Sequence, residues 1–281
     1  MSLRILALSD LHVGSSVGLW PESVIVGEGN ALSANSQQRW LLRCWNAMIE
    51  EARSLRPDVV VLNGDLLQGV HHNDGQLMST QVGVQQRAAV QLLEPLTGPV
   101  TGHGGRIYVI AGTEYHDGAG AADADVLASM IGARQSRETG RHARWELLYR
   151  LGEASTAPVI HFAHHIGIAA SPDSEASSPV RDLRTEVGEL YQQFAGTAPN
   201  VKMIVRSHRH RFVYVQIPYD QHALVLPGWQ LKTAYAYKKA APQLPQIGYA
   251  WIEWDGTDIT VRPRLYKLPG IAVDGGGRGD D

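Results

Sequence analysis

Leu3-Arg4-Ile5-Leu6-Ala7-Leu8-Ser9-Asp10-Leu11-His12 is the stretch from which the rest of the chain is read. An apolar run this short and this rich in Ile and Leu predicts a buried strand. It stops abruptly at Asp10 and His12, two metal-ligand residue types. Residues i and i+2 of extended backbone point to the same side, so both side chains can aim at one point past the strand's end. A single strand ending in polar residues carries little information. Recurrence of the pattern gives it weight.

The pattern recurs four times. Asp58-Val-Val-Val-Leu62 runs into Asn63-Gly64-Asp65, and Arg106–Ile110 into Gly112-Thr113-Glu114-Tyr115-His116-Asp117. Pro158–Phe162 runs into His164-His165, and Val201–Val205 into Ser207-His208-Arg209-His210. Between them, Ser36–Leu55 has its apolar residues at helical spacing. Further helices are expected near Gln81–Leu93, Ala122–Ile131 and Val180–Phe194. Thr97–Gly105, rich in Gly and Pro, reads as a turn, and Val13–Asn35 as a long loop of the functional or mobile kind. From Phe212 onward, short strands joined by turns at Pro218–Asp220 and Asp255–Gly256 suggest antiparallel pairing. The chain is therefore α/β in its first two-thirds and antiparallel in its last third. One domain over residues 1–270 is expected, with the Gly-rich stretch 271–281 as a flexible tail.

Bulk properties exclude several classes. With 281 residues, 44% hydrophobic content and a net charge of -3, the chain is not globally basic, although a local basic patch is compatible with these values. No apolar run is long enough to span a membrane. A secretory signal is not expected, and the one cysteine, Cys44, rules out an internal disulfide and suits a reducing cytoplasm.

Ligands of open α/β sheets gather beyond the carboxyl ends of the strands, so five strand ends could bring these Asp and His residues to one crevice. Oxygen and nitrogen donors without cysteine suit Mn, Fe or Zn better than a thiolate site. A carboxylate on the Gly64-Asp65 turn can bridge two ions. Such a pair activates water at neutral pH and clamps the oxygens of an in-line displacement at phosphorus.

The order Asp10-x-His12, Gly64-Asp65, Gly112-Thr113-Glu114, His164, His208-x-His210 resembles the calcineurin-like metallophosphoesterases. The resemblance implies a four-layer β-sandwich of two mixed sheets flanked by helices, and a dinuclear centre, with Mn expected and Fe, Zn or Ni as alternatives. It implies that one ion takes Asp10, His12, Asp65 and His210. The other takes Asp65, His164, His208 and a residue of the third motif. That motif departs from the family's Gly-Asn-His-Asp or Gly-Asn-His-Glu. Thr113, following the Gly, is the expected replacement for the Asn, and Glu114 is the alternative. The family's proton-donating His corresponds to His116, two residues further along. This Gly-Thr-Glu-x-His variant is similar to phage-encoded members, which would place the protein in a host cytoplasm. Asp65 and His116 are thus the expected catalytic residues.

The remaining residues leave alternatives open. His165 is the alternative to His164. His161, inside its strand, reads as a hydrogen-bonded core residue. His71 and His72 touch substrate or lie in a solvated loop. Arg206, Arg209 and Arg211 are phosphate contacts or surface charges. Lys232, Lys238 and Lys239, near Trp229, Tyr235 and Tyr237, suit single-stranded nucleic acid or an exposed sandwich edge. The expected function is a metal-dependent phosphodiesterase on a phosphoester substrate, DNA or RNA being one class. A phosphatase acting on small nucleotides or phosphoproteins, and an inactive binding scaffold, are the competing readings.

Overall fold

The opening run forms β1 (Leu3–Leu8), and its last four residues are fully buried. A computed structural model describes residues 2–70, 75–167, 174–194, 196–239 and 243–269. His71, His72 and the expected tail lie outside the described residues. Beyond Arg4 the strand is apolar, and both of its faces are covered. Ile5 and Ala7 enter the core between two sheets, while Leu6 and Leu8 pack beneath helices.

A hairpin of β2 (Ser23–Gly27) and β3 (Asn30–Ser33) follows, then α1 (Ser36–Leu55), β4 (Val59–Asn63) and α2 (Val82–Gly102). Next come β5 (Arg106–Ile110), the single turn α3 (Glu114–Asp117), α4 (Ala122–Met130), β6 (Ala143–Arg144), β7 (Glu146–Arg150) and β8 (Val159–Ala163). The chain continues through α5 (Ser177–Phe194), β9 (Val201–Arg206), β10 (Val213–Ile217) and β11 (Gln221–Val225). It ends in α6 (Ala234–Lys239), β12 (Ile247–Trp254) and β13 (Ile259–Tyr266).

One sheet has the order β13-β12-β1-β4-β5-β6, the other β10-β11-β9-β8-β7. Both are mixed. In the first, β1, β4, β5 and β6 are parallel, and β12 runs antiparallel to β1. In the second, β8, β9 and β11 are parallel between antiparallel edge strands. Apolar side chains of both sheets, among them Val61, Ile110, Phe162 and Val205, meet in the inner core. The helices α1, α2 and α4 cover the outer face of the first sheet. Leu183 of α5 packs with Ile204 and Ala223 on the outer face of the second. The result is the expected sandwich of two mixed sheets flanked by helices.

Helix α1 occupies its expected span and opens with a capping box between Asn35 and Gln38. Four expectations need correction. The stretch 13–35 is not one loop: its first part is buried, and the second folds into the β2–β3 hairpin through Glu28 and Gly29, both at positive φ. The expected turn at 97–105 is mostly helix, because α2 continues through Pro95 and Pro99 to Gly102. Leu92, Leu93, Leu96 and Val100 keep the helical stripe buried, while Pro99 lies on the exposed side. There, carbonyls freed by the missing N–H can be solvated. The last third is not wholly antiparallel, since β11 pairs in parallel with β9. Its two hairpins also join different sheets. Finally, the segment after Trp229 is not a sheet edge, and its Tyr235 and Tyr237 are exposed. Trp229 is buried against Trp45, and α6 follows it.

Candidate metal centre

Four of the five strand ends are joined in pairs by their backbones. Asp10 N–H donates to Gly64 O at 3.0 Å, and His12 N–H to Asp65 O at 3.1 Å. Ser207 N–H donates to His164 O at 2.9 Å. Asn63 links the sheets, since its amide donates to Ala163 O (3.1 Å) and to Ser207 Oγ (2.6 Å). Its own carbonyl accepts from His164 Nδ1 at 2.6 Å.

Asp10, His12, Asp65, His208 and His210 all have left-handed backbone, with φ between 45° and 74°. Such conformations cost about 1 kcal/mol or more each for a residue with a Cβ. Asp and His tolerate them better than bulky residues do, and the mutual hydrogen bonds hold them. Two glycines make room. A Cβ on Gly64, whose φ is +89°, would lie 2.3 Å from His164 Nδ1, and one on Gly112 2.1 Å from Asp65 Oδ1.

The side chains form three overlapping groups, in each of which the ligand atoms lie within 4.8 Å of one another. These are Asp10, His12 and His210; His12, Asp65 and His116; and Asp65, His164 and His208. His12 Nε2 and His210 Nε2 are 3.0 Å apart, and His164 Nε2 is 3.1 Å from Asp65 Oδ2. Ser9 Oγ donates to Asp10 Oδ2 at 2.6 Å. Thr113 donates twice to Asp65 Oδ1, from its N–H at 2.7 Å and its hydroxyl at 3.0 Å.

The residues fit divalent cations on two counts. Asp10 Oδ1, His12 Nδ1 and His164 Nε2 are buried without a well-formed hydrogen bond among the described residues. Buried polar atoms are rarely left so unless something else satisfies them. The field has the right sign too. Burial opposes ionisation of Asp10, but His210 and His164 outweigh it and hold the carboxyl down at about 2. Asp65 is likewise held well below the carboxylate range by His164 and His208, against its burial. Burial pulls His164 down, yet Asp65 and Asp10 push it up to about 10. A potential that keeps a fully buried imidazole charged favours a cation strongly. In contrast, His12 is held well below its usual value by burial and by His116 and His210. The neutral form, in which an imidazole ligates, is thereby favoured at His12, whereas a cation bound at His164 would displace its proton.

Of the other candidates, His116 Nδ1 is 2.7 Å from Gln68 O, and its ring lies edge-on to His12 with centroids 4.4 Å apart. Glu114 is exposed, accepts from Gly120 N–H at 3.0 Å, and stands outside the three groups. His165 is exposed and also outside them. His161 faces away from the centre, between Glu146 (3.1 Å) and Glu186 (2.8 Å). Arg206 is buried on that same outer face, on Asp182 at 2.7 Å. Arg209 and Arg211 border the cleft instead.

Two contributors escape a sequence reading. Asn63 fixes the His164 tautomer by accepting its Nδ1–H. Asp117, fully buried, accepts the Gly112 N–H and so holds the third-motif turn against Asp65. Burial and the neighbouring Asp65 charge push its carboxyl up to about 7. The His116-Asp117 pair was the available signal.

Above the centre lies a cleft of ≈ 970 Å³. His12, Asp65, His116, His208 and His210 form part of its lining, and Tyr115, Lys232, Tyr235 and Lys238 border it.

No family model matches the chain, and no curated protein matches it in sequence. Among solved structures, it is similar to a conserved uncharacterized protein and predicted phosphoesterase from Streptococcus pneumoniae TIGR4. The TM-score is 0.37, with 12% identity over 95% of this chain and 99% of that one. It is also similar to a dimetal phosphatase from Danio rerio, with a TM-score of 0.44 and 10% identity over 94% of this chain and 96% of that one.

Proposed function

We propose that the chain is a metal-dependent phosphoester hydrolase with a preference for diesters. The observation that carries this reading is the set of overlapping Asp/His groups, linked through His12 and Asp65 and opening into a cationic cleft. Asp10, His12, Asp65 and His210 would hold one divalent ion, and Asp65, His164 and His208 the other, with Mn the expected metal. Bound there, the pair supplies Lewis-acid activation of water and neutralises charge at phosphorus.

The chain's own residues do the rest. Thr113 and the Gly112 turn fix the Asp65 carboxylate, and Asn63 fixes His164. His116 holds its Nδ1 proton on Gln68 O. Its Nε2 is therefore the atom that takes up or gives a proton, and it donates to the departing ester oxygen. The ≈ 970 Å³ volume of the cleft supports a diester, because both ester arms need room. Lys232 and Lys238 with Tyr115 and Tyr235 suit a polyanion carrying flat bases, which makes nucleic acid the favoured substrate class.

A panel with Mn tests the reading, using bis-p-nitrophenyl phosphate, p-nitrophenyl phosphate and a single-stranded oligonucleotide. The expected result is cleavage of the diester and the oligonucleotide, with the monoester spared. Monoester preference would contradict the substrate class. No turnover with Mn, Fe, Zn or Ni would contradict the hydrolase itself and favour a binding scaffold.

A further inference from the structure

Two arginines flank His210 in the chain, and both border the cleft, yet their surroundings differ. Arg211 meets the Glu175 carboxylate with two nitrogens, Nε to Oε1 at 3.1 Å and Nη2 to Oε2 at 3.3 Å. A third nitrogen, Nη1, donates to Leu244 O at 2.9 Å. A carboxylate gripped in this way occupies an arginine fork as a phosphate would. The charge of Arg211 is therefore neutralised within the protein.

The hydrogen bonds of Arg209 go to neutral acceptors, while the Glu175 and Asp182 carboxylates act on its charge only from a distance. Its Nη2 donates to Ser178 Oγ, and its Nη1 to the backbone carbonyl of Glu175 at 3.3 Å. Its Nε is enclosed and has no partner among the described residues. Both hydrogen-bonded nitrogens thus hold the guanidinium at the cleft wall without a carboxylate in its fork. The backbone keeps the residue in place, because Arg209 sits between His208 and His210, both in left-handed conformation. Ser178 is itself buried in the first turn of α5, so the hydroxyl that aims the guanidinium is fixed.

We infer that Arg209 is the cleft side chain that contacts the substrate's phosphoryl oxygens, that Ser178 positions it, and that Glu175 withholds Arg211 from the same task. The inference rests on the phosphoester reading for the identity of the anion. It assigns opposite roles to two neighbouring arginines that sequence alone cannot tell apart.

The test is calorimetric titration of inorganic phosphate into Mn-loaded protein, with bound Mn measured in parallel. Arg209→Gln removes a charge-assisted contact and should weaken phosphate binding about tenfold or more at unchanged Mn content. Arg209→Lys should recover part of that loss. Ser178→Ala, which keeps the charge but not its aim, should weaken binding by roughly threefold. Glu175→Gln keeps the carbonyl that Arg209 uses and frees the charge of Arg211, so it should tighten binding. Phosphate affinity in Arg209→Gln equal to wild type would overturn the assignment. Wild-type affinity in Ser178→Ala would overturn the positioning role. Because binding is read without turnover, Arg209-dependent phosphate binding in a protein that hydrolyses nothing would reject the hydrolase reading alone. Hydrolysis with Arg209-independent phosphate binding would reject this inference alone.

Discussion

At Asp65 one carboxylate has separate tasks for its two oxygens. Oδ1 accepts two hydrogen bonds from Thr113, while Oδ2 faces His164 and, at 3.8 Å, His208. Fixing one oxygen aims the other. The third motif therefore supports the centre even though Glu114 points away from it. The same motif supplies His116, whose proposed task is a proton and not a metal. His116→Ala should lower turnover of a diester by roughly 10²–10⁴-fold while leaving Mn content unchanged. Loss of Mn in step with activity would make His116 a ligand instead. The Asp and His residues of the centre were legible because each follows an apolar run at a strand end. Asn63 and Asp117 were not, since they act through backbone hydrogen bonds that many buried Asn and Asp residues make. Arg206, Arg209 and Arg211 look alike in sequence, and only packing separates them into one structural ion pair and two cleft residues.

Among the elements, those with an uninterrupted pattern were legible and those that depend on context were not. The apolar runs of β1, β4, β5 and β9 are buried on both faces, and α1 has its stripe and its Asn35 cap in the sequence. Helix α2 runs past two prolines because its buried leucines outweigh the lost hydrogen bonds. The β2–β3 turn at Glu28-Gly29 lacks the Asn or Asp that usually marks such turns. Short α6 lies over the cleft with little apolar periodicity of its own. The junction after β4 is the element with least tolerance. A Cβ at Gly64 would meet the His164 ring at 2.3 Å and the Gly112 Cα at 2.8 Å, on backbone that disfavours any side chain. The ring cannot give way, because its Nδ1 is held by Asn63 O at 2.6 Å. Gly64→Ala should destabilise the protein by at least about 3 kcal/mol, lowering Tm by roughly 6–12 °C. An unchanged melting curve would show that the turn is looser than described.

Across the whole molecule, two sheets deliver their strand ends to a single edge. The short β6 ends in the first sheet, and β7 begins the second one residue later, so the chain crosses at that point. Asn63 then joins the sheets at the centre. A net charge of -3 coexists with a cleft bordered by Arg209, Lys232 and Lys238, so cations stand where an anion would bind. Two buried carboxylates and four imidazoles at one point carry little benefit for folding alone, and a divalent pair would satisfy them. That is the central claim, and Asp65 is the residue common to both proposed ion sites. Calorimetric titration of Mn into the wild-type chain and into Asp65→Asn, with folding verified by circular dichroism, tests it most directly. Two equivalents should bind the wild type, and both should be lost or severely weakened in the variant. Wild-type stoichiometry and affinity in a folded Asp65→Asn would contradict a shared carboxylate, and with it the dinuclear centre.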